Sequence, residues 1–415
     1  MGGFTWTFLA ALALSLGVKF WLDWRQKRAV VEHRDSVPEA FADRVSLAEH
    51  QKAADYVVAA QKYARWDRLG QTVLLLCWTI GGGFALLDRL WLGTFNGPML
   101  TGVAVALSYV AVESLVWIPS KYSETFGLEQ RFGFNRSTRK TFIGDQLKGL
   151  LLAMVLASLL APTALWLMTT GTLWWLWLWA LWLGLMLALA WAFPVIFVPM
   201  FNKLTPLEDG PLKQRLEALG ARCGFELRGM FVMDGSRRSS KGNAFFSGFG
   251  RTKRIVFYDT LLEQLDDDEI EAVLAHELGH FRKRHSLKSL TFMALFALGC
   301  AALFGWLRGQ PWFFSQLGVP HASDYMAVLL FMQVAPVFFA LLKPLGSLLS
   351  RKHEFEADAF AAANADGAKL ANGLVKLLRE NAGTLTPDRL YSSYHHSHPP
   401  VPERVAHLKQ LATAT

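Results

Sequence analysis

Cysteine and charge are both scarce in this chain. Only three of the 415 residues are Cys (Cys77, Cys223 and Cys300), and no two are spaced as a pair. A disulfide framework or a thiolate zinc site is therefore not expected. Charged residues make up 18% and hydrophobic residues 52%. These charged residues are too few to cover the surface of an ordinary soluble protein. The high hydrophobic content excludes disordered and collagen-like proteins. The composition indicates a membrane protein.

Runs of about twenty apolar residues mark segments that are able to cross a membrane. Seven such runs lie at residues 4–24, 69–92, 98–118, 147–169, 173–200, 288–307 and 325–349. The first run lacks the basic start and the small-residue cleavage site of a signal peptide, so we interpret it as a retained helix. The sequence predicts a polytopic α-helical membrane protein with about seven transmembrane helices.

The net charge of +8 suits a nucleic-acid-binding protein, but the position of the basic residues favours a membrane topology instead. Nine Lys or Arg residues lie in 25–68 and six in 119–148, whereas the intervening loops hold only Arg89 and Arg308. Basic loops stay in the cytoplasm. The N-terminus is therefore expected outside and the C-terminus in the cytoplasm, and no nucleic-acid partner is expected.

Two longer polar stretches interrupt the apolar pattern. We expect a membrane region over 1–201, the first part of a cytoplasmic unit over 202–287, two membrane helices over 288–349, and the second part of the unit over 350–415. Neither polar stretch alone is long enough for a comfortable domain, so the two are expected to fold together. Patterns predict a helix over 210–223, strands over 228–234, 243–246 and 253–259, and a further helix capped by the acidic run 266–269.

That capped helix carries the sequence His276-Glu277-Leu278-Gly279-His280. Residues four apart share one face of a helix, so the two imidazoles can ligate one zinc ion. The Glu beside the first His can reach the bound water and act as a general base. The sequence therefore predicts one zinc ion per chain, with His276 and His280 as ligands and Glu277 as the base.

A catalytic zinc site needs a third protein ligand and one open position. The metzincin pattern would require Gly and His where this chain has Lys283 and Ser286, so that class is excluded. Glu354 is the preferred ligand. Asp358 lies one turn later on the same helical face, where it can orient a ligating His through the second ring nitrogen.

Three neighbouring residues are weaker candidates for the third ligand than Glu354. His285 is one residue from the metzincin position and is interpreted as a surface residue. Glu356 lies two residues after Glu354, so it points to a different side of the helix. His353 stays open as an alternative ligand.

These motifs resemble the M48 zinc metallopeptidases, and specifically the Ste24-type CAAX prenyl proteases. The zinc motif and the segment Glu354–Phe360 carry the first part of the resemblance. Further segments extend it over nearly the whole chain, namely Glu129–Thr138, Asn243–Phe249, Lys253–Leu262, Tyr391–Pro400 and Glu403-Arg404.

The resemblance implies a mostly helical gluzincin-type zinc protease domain with a small β-sheet. That domain would close the cytoplasmic side of a chamber enclosed by seven helices. The resemblance also implies Glu354 as the third ligand, His398 as the residue that stabilises the oxyanion, and Arg404 nearby in the substrate site. An extended peptide would lie along an edge strand that includes Asn243, Ala244 and Phe245.

The resemblance predicts an integral-membrane zinc endopeptidase that cleaves near the C-terminus of prenylated proteins. Two alternatives stay open: a quality-control protease of membrane proteins that does not read prenyl groups, and a transporter or lipid-binding protein with a vestigial metal site. The expected partners are a peptide or protein substrate and the lipid bilayer, with the oligomeric state open. The last residues show no reticulum retrieval signal, which favours a bacterial inner membrane with a cytoplasmic catalytic domain.

Overall fold

Helices dominate this computed structural model, which describes residues 2–247 and 253–414. The helices of the described residues are α1 (Gly3–Glu32), α2 (Leu47–Trp78), α3 (Gly83–Trp91), α4 (Pro98–Val116), α5 (Ile118–Ser123), α6 (Arg139–Leu167), α7 (Trp174–Ala192), α8 (Val198–Phe201), α9 (Pro211–Arg222), α10 (Asp259–Gln264), α11 (Asp267–Arg282), α12 (His285–Leu307), α13 (Pro311–Ser315), α14 (Asp324–Phe339), α15 (Lys343–Asn364), α16 (Gly367–Glu380), α17 (Arg389–His395) and α18 (Val401–Ala414). The strands are β1 (Leu204–Pro206), β2 (Leu227–Met233), β3 (Ala244–Ser247) and β4 (Lys253–Tyr258).

Six helical stretches of the described chain are long and apolar enough to cross a bilayer. They are Gly3–Glu32, Pro98–Glu129, Arg139–Leu167, Trp174–Phe201, His285–Leu307 and Asp324–Asn364. α2 and α3, which meet at a bend of 50°, are long and apolar enough only when taken together, and they make the number seven if the pair is one broken span. The predicted polytopic helical membrane protein with about seven spans is confirmed.

The last span is interrupted where it approaches the soluble part, which is the region formed by the two longer polar stretches of the chain. Pro336 lies inside α14, where it removes one backbone donor, and α14 ends three residues later at Phe339. A tighter turn over 340–342 leads into α15, which begins at Lys343. The predicted boundary at residues 349 and 350 falls inside α15, so this helix continues unbroken from the end of the membrane region to Glu354.

A four-stranded sheet forms one face of the soluble part, in the order β1-β2-β4-β3. β2 and β4 are parallel and the other pairs antiparallel, so β3 lies at an edge. The three predicted strands are confirmed, although Gly248 and Phe249 of the quoted motif lie outside the described residues. The sequence analysis missed β1, because three residues are too short to show a pattern.

The sheet packs against α9 and α11 to form the core of the soluble part. Ile255 and Phe257 of β4 are buried in the same cluster as Leu274 and Leu278 of α11. α11 begins with the predicted acidic cap: the Asp266 carboxylate accepts from the Glu269 amide at 2.9 Å, and Glu269 accepts from the Asp266 amide at 3.0 Å. This capping box satisfies two N–H groups that lack helical partners.

α11 and α15 pack very closely at Gly279. A Cβ atom placed on Gly279 would lie 3.0 Å from the Cα atom of Ala357 on α15. Only Gly allows this approach without displacing the facing backbone. The close packing brings the zinc motif of α11 within reach of the acidic residues on α15.

The C-terminal segment is attached to the membrane helices through α17. Asp388 caps α17 by accepting from the Tyr391 amide at 2.9 Å, and it also accepts from the Arg25 guanidinium of α1 at 2.8 Å. The Tyr394 hydroxyl donates to the carbonyl of Ala340, in the break between α14 and α15, at 2.9 Å. These contacts fix the chain that leads to His398.

Candidate active site

Three side chains from α11 and α15 converge as a candidate metal site. The Nε2 atoms of His276 and His280 lie 3.2 Å apart, and Glu354 carboxylate oxygens lie 3.4 Å from each of them. Within the described residues, these three form the group of donors that could hold a metal ion. The structure therefore brings together the three ligands predicted from the sequence.

The donor set fits zinc in both chemistry and size. Two imidazoles and one carboxylate are a common catalytic zinc set, and bonds of about 2.0–2.1 Å in a tetrahedron place the ligand atoms about 3.3–3.4 Å apart. Oε2 of Glu354 is buried and has no hydrogen-bond partner among the described residues. Nη1 of Arg404 lies 3.4 Å from this oxygen, at ion-pair distance. A buried carboxylate oxygen without a hydrogen bond is costly, and a bound metal ion would satisfy it.

His276 is oriented from behind by a buried acid. Its Nδ1 atom lies 2.9 Å from Oδ1 of Asp358, whose side chain is fully buried, so Nδ1–H donates there and Nε2 is left free for the metal. Burial and the charge of Arg404 oppose protonation of His276, but hydrogen bonds to Asp358 and Glu354 outweigh them and raise its pKa.

His280 is oriented by a second relay that the sequence analysis missed. The Nδ1 atoms of His280 and His285 are 3.0 Å apart, and Nε2 of His285 is 2.9 Å from the Glu356 carboxylate. Glu356 accepts the Nε2–H proton of His285, so His285 Nδ1 accepts from His280 and Nε2 of His280 faces the metal site. The interpretation of His285 as a surface residue is wrong: it is 3% exposed, and its ring stacks on His353 with centroids 4.0 Å apart.

The backbone between α11 and α12 explains the position of His285. α11 ends at Arg282, and Arg284 takes a left-handed conformation with φ of 55°. This conformation is uncommon for a residue with a side chain, and it turns the chain sharply. His285 is thereby directed back beside His280, although a spacing of five residues does not share a helical face.

The relay predicts a measurable effect on zinc affinity. Replacing His285 by Ala, or Glu356 by Gln, is expected to weaken zinc binding by about 10–100-fold, because a ligand that loses its orienting partner binds less well. Competition with a fluorescent zinc chelator checks the affinity, and His321→Ala serves as a control because its side chain is 70% exposed. Unchanged zinc affinity in both variants would contradict the relay.

A cavity of about 850 Å³ opens at the candidate metal site. Glu277 lies on its wall together with His280 and Glu354, and edge strand β3 forms the opposite part of the wall. The residues expected to contact substrate on or beside that strand also line it, namely Asn243, Ala244 and Phe245. The edge of β3 and Glu277 thus line the same cavity.

His398 and Arg404 occupy different positions at the site. The His398 side chain is 66% exposed, with Nδ1 at 2.9 Å from Oε1 of Glu354, so it lies at the solvent side of the ligands. Arg404 is 7% exposed and lies behind them, where its guanidinium donates two hydrogen bonds to Asp358 at 2.5 and 2.9 Å. Neither His398 nor Arg404 is among the residues that line the described cavity.

Known proteins share both halves of this architecture. Residues 26–203 match the model of the CAAX prenyl protease N-terminal region with five membrane helices, and residues 206–412 match the model of peptidase family M48. The chain belongs to peptidase family M48. CAAX prenyl protease 1 of Saccharomyces cerevisiae is 33% identical over 429 residues, covering 94% of this chain and 92% of the relative. A homologue from Arabidopsis thaliana is 35% identical over 332 residues, covering 79% of this chain and 77% of the relative.

A solved structure shares this fold over almost the full length of the chain. The crystal structure of Saccharomyces mikatae Ste24p superposes with a TM-score of 0.90 at 29% identity, covering 98% of this chain and 99% of that one. This M48 protein is therefore an integral-membrane zinc metallopeptidase that resembles CAAX prenyl protease 1. The alternative of a transporter or lipid-binding protein is not favoured.

Proposed function

We propose that this M48 protein binds one zinc ion through His276, His280 and Glu354 and hydrolyses a peptide bond near the C-terminus of prenylated proteins. The observation that carries the proposal is the convergence of the three donors beside a free strand edge in one cavity. The relatives named as CAAX prenyl proteases support the substrate class.

A zinc ion held by His276, His280 and Glu354 would polarise the scissile carbonyl as a Lewis acid and lower the pKa of the attacking water. Glu277 directly follows His276 on α11. Its side chain lines the cavity, and it is not one of the three convergent donors. It takes the proton of the attacking water and delivers it to the leaving amine. No Ser or Cys nucleophile is assigned, so water attacks the peptide bond directly.

Residues around the ligands bind and orient the substrate. The substrate backbone extends the sheet at β3, which pairs only with β4 among the described strands and so offers its outer edge for main-chain hydrogen bonds near Ala244 and Phe245. Asn243 lies just before them and accepts from the Ala244 amide at 2.8 Å. His398 directs an N–H group at the oxyanion, because it is the exposed histidine next to the ligands. Arg404 holds Asp358, which in turn orients His276, and its Nη1 atom also lies 3.4 Å from Oε2 of Glu354.

We further propose that the active site faces the cytoplasm. The basic loops 25–68 and 119–148 support this orientation, because such loops remain on the cytoplasmic side. A bacterial inner membrane stays a prediction, and the relatives named above are eukaryotic.

Cleavage of matched peptides tests the proposed function. The purified full-length protein in neutral detergent is given a farnesylated C-terminal peptide and its unmodified twin, with and without a zinc chelator. We expect chelator-sensitive cleavage of the farnesylated peptide, faster than of its twin. Equal rates for the twins would favour the quality-control alternative, and no cleavage of either peptide would contradict the proposed function.

A further inference from the structure

A second cavity, of about 1340 Å³, lies between α1, α2 and the turn from α4 into α5. It shares no wall residue with the cavity at the candidate metal site. Its wall carries more positive than negative side chains: the basic ones are Lys27, Arg34, Lys62, Arg65 and Arg131, and the acidic ones are Asp55 and Asp67. This excess of positive charge indicates that the cavity suits an anionic ligand.

Both acids of the wall already have partners. The Asp55 carboxylate accepts from the Arg34 guanidinium at 2.8 and 2.9 Å, and the Asp67 carboxylate accepts from the hydroxyl of Ser120. Across residues 2–247 and 253–414, the remaining α1 and α2 cations of the wall form no ion pair, namely Lys27, Lys62 and Arg65. These three exposed side chains are therefore available to a ligand from outside the chain.

The alignment of α1 against α2 brings the three cations to one level. Two ion pairs fix this antiparallel alignment, Asp23 with Arg68 at 2.7 Å and Arg34 with Asp55 at 2.8 Å. Counting residues along both helices from either pair places Lys27 level with 62–64 of α2. Because one helical turn is 3.6 residues, Lys27 lies within about one turn of the other two cations.

The cations lie at the edge of the apolar part of α2. Lys62, Trp66 and Leu69 follow one another at spacings of four and three residues, so they share one face of the helix. The Trp66 side chain is 66% exposed, as is typical of Trp at the boundary between membrane and water. This level of α2 therefore matches the headgroup layer of a bilayer.

An exposed apolar surface continues from the cations into the membrane region. Leu69 and Val73 lie one and two turns beyond Trp66 on the same side of α2, and both are exposed. Val116, near the end of α4, is exposed as well and lines the cavity together with Leu69. The surface thus combines cations at the headgroup level with apolar side chains below them.

We propose that Lys27, Lys62 and Arg65 bind the headgroup of an anionic phospholipid whose acyl chains lie along the exposed apolar face of α2 and α4. The charge of the cavity carries the choice of ligand, because three unpaired cations attract a lipid of net negative charge and gain nothing net from a zwitterionic one. The apolar surface favours a lipid over a soluble phosphate, which has no chains to bury there.

The test offers purified full-length protein in neutral detergent equal amounts of dioleoylphosphatidylglycerol and dioleoylphosphatidylcholine, which have identical chains and differ in headgroup charge. Native mass spectrometry counts the lipid that the protein retains. We expect wild type to prefer phosphatidylglycerol about 10–100-fold, because each basic residue near an anionic headgroup strengthens binding about fivefold. Each of Lys27→Gln, Lys62→Gln and Arg65→Gln should lower the preference about fivefold, and the triple variant should remove it.

A charge-matched triple variant is the control. Arg44→Gln, Arg139→Gln and Lys140→Gln together remove three exposed cations from the same two basic loops, and none of these residues lines the cavity. This control variant should keep the wild-type preference for phosphatidylglycerol. An equal loss of preference in both triple variants would show diffuse attraction to the basic loops and would overturn the site.

The wild-type protein alone can also overturn the proposal, so the test does not depend on any variant folding. Equal retention of the two lipids would remove the site. Complete displacement of phosphatidylglycerol by excess glycerol 3-phosphate would reduce it to a phosphate site without bound chains. Displacement by one equivalent of farnesylated peptide would assign the surface to the prenyl chain of a substrate instead. Binding is measured here without cleavage, so none of these results decides the proposed protease function.

Discussion

Replacing Glu277 by Gln is expected to lower kcat for peptide hydrolysis by a factor of about 100 to 10,000, the usual contribution of general acid–base catalysis. Glu277 lines the cavity but is not one of the three convergent donors, so zinc content should stay near one per chain. Gln keeps the size of the side chain and removes its basicity. Single-turnover cleavage with zinc measured by atomic emission on the same sample checks both parts.

The control for Glu277→Gln is Glu263→Gln, a neutralised exposed acid outside the cavity, which should retain wild-type kcat. Loss of zinc together with activity in Glu277→Gln would show that this residue helps to hold the metal. Retained kcat in Glu277→Gln would remove the general base from the mechanism.

Replacing Glu354 by Gln is expected to abolish detectable cleavage and reduce zinc well below one ion per chain. The substitution removes a ligating charge and leaves only two imidazoles, whereas a catalytic site needs three protein ligands. Asp358→Asn provides a graded comparison, because it keeps all three ligands but weakens the orientation of His276 and the ion pair with Arg404. Its zinc affinity should fall by about 10–100-fold.

Full zinc occupancy in Glu354→Gln would reopen the choice of third ligand. His353 was the alternative from the sequence, and the structure stacks its ring on His285 instead of directing it to the other two ligands. A double variant that also replaces His353 by Ala would then lose zinc only if His353 had become the ligand.

The helix of the zinc motif could be predicted because its signals are local. The acidic cap at Asp266, the apolar face and the i, i+4 spacing all lie within a few turns of one element. The same holds for the strand patterns of β2, β3 and β4. Glu354 could be predicted together with Asp358 because both lie on one face of a single helix.

The orientation of His280 could not be predicted, because it depends on a turn that has no local pattern. Arg284 adopts a positive φ that its residue type disfavours. The contacts of His285 with His280 and Glu356 that follow this turn are between residues far apart in pattern or in sequence. The role of Glu356 could not be predicted either, because it depends on His285 lying beside it. Likewise, Arg404 lies far from the motif in sequence, and its burial behind Asp358 emerges only from the packed helices.

The membrane hairpin α12–α14 has a consequence for biosynthesis. It separates His280 from Glu354 in the chain, and α11 meets α15 only after both intervening membrane helices are in place. A nascent chain therefore exposes the zinc motif while its third ligand is still unsynthesised. A fragment that ends before α15 is therefore expected to lack the third donor of the candidate metal site.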